Sequence, residues 1–332
     1  MRKLQPNKRT VPSLENDLSP TPVTQRRTGF FRELFVNRSL YLMTVPGILF
    51  FLIFNYLPMA GLYIAFLDYN PIAGVFGMAS PFIGFENFRF FFTSNDWVRI
   101  TFNTIFLNTL FISSGIVVQI LLAVCLNEMS MQLVKKIAQT FMFLPNFISW
   151  TVVSVFSIAL FSTDDGLING IITLFGGEAI NFYQTAAVWP ALLVGMRLWK
   201  GAGFGTVIYL STISSIDQEI YEAAMIEGAG RLARIAYITI PMLKTTTAML
   251  LILSIGSIFH GDFGMIYALI GDNPLLRNTT DVIDTFVYRA LRMNNDIGMS
   301  SAVGLFQSVL GFLMVISANA IVRKLDDESA LF

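Results

Sequence analysis

Long apolar runs without a single Lys, Arg, Asp or Glu recur along the chain, at Ser39 to Leu67, Thr101 to Asn127, Ile137 to Thr163 and Ile297 to Val322. About 20 apolar residues in a helix cross the hydrocarbon core of a bilayer, so each run predicts one spanning helix. Two less pure runs lie between them. One covers roughly Ala187 to Leu210 and carries Arg197 and Lys200; the other covers roughly Met242 to Met265, with Lys244 at its start and His260 and Asp262 near its end. The pattern predicts an all-α polytopic membrane protein with six transmembrane helices.

Composition supports that reading. Of 332 residues, 54% are hydrophobic and 13% charged, with 31 Phe, and a mean hydropathy of +0.63 belongs to a chain whose main solvent is lipid. Six spans put both ends on one side. The first 38 residues carry eight Lys or Arg against three acids, which places the N-terminus in the cytoplasm. Lys135 and Lys136, then Arg231, Arg234 and Lys244, then Arg323 and Lys324 fall on the same side.

The organisation expected is a cytoplasmic tail, 1–38, followed by a transmembrane domain, 39–332. The first 27 residues, with four prolines, read as disordered. After them TGFFRELFVNR predicts a short interfacial helix whose Phe30, Phe31, Leu34 and Phe35 meet lipid. The segment Tyr69 to Trp97 predicts a small folded cap, and Gly166 to Gly176, too short to span, a short outer helix or re-entrant piece.

Little enzymatic chemistry is offered. Cys125 is alone in an apolar run and reads as a small buried hydrophobe. His260 is the sole histidine, either pore-lining or packed, and lacks co-ligands for a metal. There is no G-x-x-x-x-G-K-[ST] phosphate loop, and GAGFG at Gly201 to Gly205 reads as a place for close helix packing. Arg197 and Lys200 are more informative. Three apart, they share a helix face near mid-span, where exposure to lipid is expensive. They either line a route for a polar or anionic solute or pair with an acid or carbonyls inside the bundle. Asn146, Trp150, Trp199, Asp262 and Tyr267 are further candidates for a sugar path, since rings stack on sugar faces while amides and carboxylates bond hydroxyls. Trp and Tyr also populate the interfacial aromatic belts.

The polar connection EAAMIEGAGRLARIAYITIP, Glu222 to Pro241, separates the fourth and fifth spans. Ser215 with Gln218 predicts a capping box for a helix ending near Glu227. Ile216, Ile220, Ala223 and Ala224 are expected on one face. Gly228 permits a turn, Arg231 to Ile238 form a second helical piece, and Pro241 opens the fifth span, where its missing N–H costs nothing. The small alanines allow another surface to come close.

This segment resembles the signature of inner-membrane permeases of binding-protein-dependent ABC transporters: EAA, three residues, Gly, nine residues, then Ile-x-Leu-Pro. Glu222, Ala223, Ala224, Gly228, Ile238 and Pro241 match, with Ile240 where Leu is usual. The likeness extends over LPNFISWTVVSVF, GDFGMIYALIG, TTDVIDTFVYRAL and GMSSAVGLFQSVLGF to the end of the chain. These resemble the LplB and MalF-like sugar permeases and, within them, the first permease of bacterial alginate importers.

The resemblance implies a MetI-like core whose coupling helix inserts into a cytoplasmic ATPase subunit, through Glu222, Ala223, Ala224, Glu227, Gly228 and Pro241. It implies a second homologous permease, two ATPase subunits that bind ATP and Mg, and a periplasmic or lipid-anchored solute-binding protein. The chain itself would bind no cofactor, catalyse nothing and need no nucleic acid. It would sit in the bacterial inner membrane and pass an oligosaccharide, alginate or another acidic glycan. The rival readings are an ion-coupled secondary transporter, which needs an intramembrane acid relay, and a scaffold that transports nothing.

Overall fold

The computed structural model describes residues 37–72, 74, 80–94, 96–325 and 330. The N-terminal tail and most of the interfacial segment lie outside them. The chain divides into two compact units, Met1–Pro58 and Met59–Phe332. In the first, α1 (Arg38–Phe51) runs into a π turn, Leu52–Tyr56, with no residue buried in either. A helix apolar on every side suits lipid rather than water.

Among its described residues the second unit's regular elements are helices, joined by turns and extended links, with an isolated β bridge between Leu67 and Phe82. Its elements are α2 (Glu86–Thr93), α3 (Trp97–Asn127), α4 (Gln132–Phe143), α5 (Trp150–Phe161), α6 (Leu167–Leu174) and α7 (Trp189–Ser214). They continue with α8 (Gln218–Ile226), α9 (Arg231–Arg234), α10 (Lys244–Gly256), α11 (Phe263–Ile270), α12 (Ile283–Asn294) and α13 (Ile297–Leu325).

Among the described residues, three helical stretches are long and apolar enough to cross a membrane: Arg38–Phe66, Trp97–Asn127 and Ile297–Lys324. The 26 residues of α7 also suffice in length at ~1.5 Å per residue, with Arg197 and Lys200 near the middle. The third and fifth predicted spans are not continuous helices. Gln132–Phe147 and Trp150–Phe161 meet at 100°. After Pro145 the chain turns extended at Ile148, and Ser149 restarts the helix by accepting a hydrogen bond from Val152 N, 3.3 Å. Arg231–Met242 and Lys244–Gly256 meet at 50°.

The fifth helix then stops at Gly256, short of Met265. The backbone groups of this break are satisfied by side chains from elsewhere. Asn108 Nδ2 donates to the Ile258 and His260 carbonyls, 2.9 and 3.0 Å, and Gln307 Nε2 to that of Phe259, 2.7 Å. Gly261 N donates to Asp284 Oδ2, 2.5 Å.

Part of the expected cap, Tyr69 to Trp97, lies outside the described residues; its described part contains α2. Asn87 on α2 donates to the carbonyls of Ala65 and Leu67, 3.0 and 2.9 Å, and Phe91 is buried against Phe286. The expected short helix in 166–176 is α6. Asp281, between α11 and α12 and with a side chain only 1% exposed, is gripped by Arg289 through two bonds of 2.9 and 2.7 Å. Burial works to lower the Arg289 pKa; the hydrogen-bonded Asp281 and the nearby Asp272 carboxylate outweigh it and raise it.

α3 and α7 lie side by side and are clamped near both ends. One apolar cluster joins Leu107 and Phe111 to Trp189 and Leu193. Another joins Ala123 and Leu126 to Tyr209, Leu210 and Ile213. Cys125 is exposed on α3, not buried, because Ala123 and Leu126 take the side that meets α7.

Candidate functional site: a charged cavity and an exposed polar elbow

Between the two apolar clamps α3 and α7 border a cavity of about 460 Å³ whose wall mixes polar and apolar side chains. Its wall brings together Arg197 and Lys200 of α7, Asn146 from the bend after α4, Trp150 at the start of α5, and Asp262 at the cap of α11. Arg197 Nη1 donates to Asp262 Oδ2 at 2.6 Å, with the guanidinium 4.8 Å from the Phe111 ring centre. Asp262 is held on its other oxygen, where Oδ1 accepts from Met265 N at 3.1 Å and caps α11. Lys200 Nζ donates to the Asn146 carbonyl at 2.8 Å and lies 5.3 Å from the Trp150 ring centre.

The Arg197 and Lys200 pair is thus held inside the bundle and lines a cavity. Their partners are unequal. Arg197 has a carboxylate, whereas among the described residues Lys200 has a carbonyl and a ring. Two cations against one acid leave the described wall with a formal charge of +1. A carbonyl dipole and a ring quadrupole orient an ammonium without neutralising it.

Two further candidates sit elsewhere. Trp199 lines a separate apolar groove with Val118, Leu122 and Phe141. Tyr267 packs on Phe263 and Tyr288, at centroid distances of 5.1 and 4.9 Å. Other wall residues had gone unmarked in the pattern of apolar runs, notably Asn108 and Gln119 on α3. Their signal is spacing: two amides eleven residues apart in a charge-free run fall three turns apart on one helix face. The glycines of GAGFG serve close packing. A Cβ on Gly203 would collide with the Met142 carbonyl, and one on Gly205 with the Gln119 amide.

At the far end of α7 the polar connection forms an elbow. Its helix, α8, is capped by Asp217, whose Oδ1 accepts from Glu219 N at 3.1 Å. The predicted cap, Ser215, instead donates to the Thr212 carbonyl at 2.7 Å, because α7 itself extends to Ser214. The expected face is also divided: Ile216, which precedes the helix, is buried, and Ile220 is exposed. Gly228 turns the chain at φ +88°, a conformation that excludes most side chains.

Pro241 lies inside a helical run, 231–242, rather than at the head of a new helix. The π turn Ile235–Thr239 just before it widens the coil and relieves the clash its ring would cause. Glu222, Ala223 and Glu227 are exposed, as are the apolar Ile226, Leu232 and Tyr237 at 88%, 82% and 82%. So much bare apolar surface on a polar elbow marks a contact face.

The family model described as "Binding-protein-dependent transport system inner membrane component" matches residues 115–327, well over half of the chain. The chain belongs to this family. The matched region contains every candidate residue of the cavity and of the elbow identified from sequence. Among relatives, protein LplB of Bacillus subtilis (strain 168) is 38% identical over 319 residues, 96% of this chain and 98% of the relative. The polygalacturonan/rhamnogalacturonan transport system permease protein YteP of the same organism is 38% identical over 304 residues, covering 92% and 94%.

In three dimensions the permease is similar to a chain in the crystal structure of a bacterial ABC transporter involved in the import of the acidic polysaccharide alginate. The TM-score is 0.81 at 32% identity, over 89% of this chain and 99% of that one. A second structure, of a bacterial alginate ABC transporter in complex with an alginate pentasaccharide-bound periplasmic protein, gives 0.81 at 31%. The permease is thus a polytopic helical membrane subunit of an ABC importer, and ATP hydrolysis falls to a separate subunit.

Proposed function

We propose that this permease lines the translocation pathway of an ATP-driven importer for acidic oligosaccharides, and that the cavity between α3 and α7 is where the carboxylates of the sugar pass. The observation that carries this reading is Lys200, a cation aimed into the cavity with no carboxylate partner among the described residues. An anionic sugar completes the charge that the wall leaves at +1. Trp150 and Phe111 beside the two cations offer apolar faces to the pyranose ring. Relatives named for polygalacturonan and alginate transport handle polymers whose units carry carboxylates.

The elbow is the motor contact. Its exposed face, with Glu222, Ala223, Ala224, Glu227 and Gly228 and braced by Pro241, docks a cytoplasmic ATPase subunit, which holds ATP and Mg. A second homologous permease completes the pathway, a periplasmic or lipid-anchored binding protein delivers the sugar, and both chain termini lie in the cytoplasm. ATP-driven closure of the two ATPases moves α8 and opens the bundle outward; hydrolysis returns it.

The test is ATP-dependent uptake by the reconstituted complex, comparing uronic-acid and neutral oligosaccharides of equal length. Uptake should favour the uronic acids. Equal uptake of both classes would overturn the acidic assignment. No uptake of either, with ATPase activity unresponsive to any oligosaccharide, would overturn the sugar assignment as well.

A further inference from the structure

Movement of α8 reaches the cavity only through connections that the chain provides, and α8 itself is poorly buried: Glu222, Ala223, Met225 and Ile226 are exposed. Side-chain links among the described residues tie this region to its neighbours. Tyr221 of α8 hydrogen-bonds Thr239 at 3.0 Å, tying the helix to the run 231–242. From the start of that run, Arg231 reaches 103 residues back in sequence to Glu128. Its Nε donates to the Glu128 carboxylate and its Nη2 to the Glu128 main-chain carbonyl.

Glu128 is the C-cap of α3, the helix whose Asn108-to-Gln119 side walls the cavity. One guanidinium therefore holds both a charged side chain and a helix-terminal carbonyl, at the end where the helix dipole attracts a cation. Gln119 lies nine residues up the same helix, ~13 Å at ~1.5 Å per residue.

We infer that Arg231 and Glu128 form a strut that transmits displacement of the ATPase-docked elbow to the cavity-lining helix α3. They act as positioning residues and touch neither sugar nor nucleotide. The inference rests on the reading of α8 as the ATPase handle. α7 already follows α8 through the chain; the strut makes α3 follow too, so both walls of the cavity move with one stroke. An exposed ion pair adds little to folding stability, so its loss should appear in coupling rather than in assembly.

The experiment uses the reconstituted complex with its binding protein and a transported oligosaccharide, and reads sugar taken up per ATP hydrolysed. Arg231→Gln and Glu128→Gln should each lower that ratio about fivefold or more, the effect of losing a coupling interaction of ordinary size. Assembly and solute-stimulated hydrolysis should persist. The charge exchange, Arg231→Glu with Glu128→Arg, should recover most of the loss. An unchanged ratio in both single variants overturns the strut, as does loss of assembly that the exchange does not repair. Glu222→Ala separates the two ideas. If it impairs ATPase docking while the strut variants couple normally, only the strut fails; if it leaves docking and coupling intact, the handle reading falls first.

Discussion

Lys200 and Arg197 stand one turn apart on α7, yet their surroundings assign them different work. Arg197 is matched by Asp262 at 2.6 Å. Both side chains are partly exposed to the cavity, so Arg197→Ala and Asp262→Ala change the charge of its wall and also remove a packed ion pair, which mixes effects on transport with effects on stability. Lys200 is the cleaner probe. Lys200→Met keeps the stem and removes the charge; uptake of uronic-acid oligosaccharides should fall about tenfold, the equivalent of ~1.4 kcal/mol, while neutral analogues are little affected. Equal losses for both classes would return Lys200 to a packing role.

A second residue-scale expectation concerns stability alone. Arg289 neutralises a carboxylate, Asp281, that is 1% exposed. Because Arg99 remains 3.7 Å from Asp281, Arg289→Met should destabilise the purified permease by less than the cost of a wholly uncompensated buried charge, about 3–5 kcal/mol, read as earlier thermal unfolding in detergent. A shift no larger than that of Arg89→Met, which breaks an exposed pair with Glu86, would contradict it.

At the scale of elements, the short helices depend on their ends. The nine residues of α8 are too few to be stable alone, and their cap is Asp217. Asp217→Ala should cost about 0.5–2 kcal/mol of helix stability and weaken ATPase binding in co-purification. Ser215→Ala should change neither, since the Ser215 hydroxyl donates back to the Thr212 carbonyl and not into α8. The opposite ranking would restore the cap expected from the serine and glutamine spacing.

The breaks obey a related rule. A span interrupted at residues 257–262 leaves carbonyls with no helical partner, and Asn108 and Gln307 supply the donors. Gln307→Leu should therefore loosen this turn, seen as faster amide hydrogen exchange around Phe259.

For the whole molecule, the long charge-free runs require lipid, and the excess of Lys and Arg in alternate loops predicts that both termini face the cytoplasm. Reporter fusions to the two termini should both report the cytoplasm; a split result would reverse the elbow's side and remove its access to an ATPase. The cavity is a product of several packed helices: apolar clusters near both ends of the α3 and α7 pair hold the helices together, and its wall draws on residues from α3, α5, α7 and the cap of α11.

Membrane residence, the helical class, the elbow with its glycine turn and the mid-span cations were legible in the linear pattern, because lipid imposes its demands residue by residue and turn by turn. A run either carries charge or does not, and Gly228 is a short-range conformational fact. The breaks at residues 148–149 and 257–262, the buried face of α3, the true cap of α8 and the partner of Arg197 were not legible. Each depends on groups distant along the chain: Asp262 lies 65 residues from Arg197, Asn108 150 from Ile258, and Glu128 103 from Arg231. Periodicity reports how one segment meets its solvent. Which side chain neutralises which, and where a cavity is left, follows from packing segments against each other.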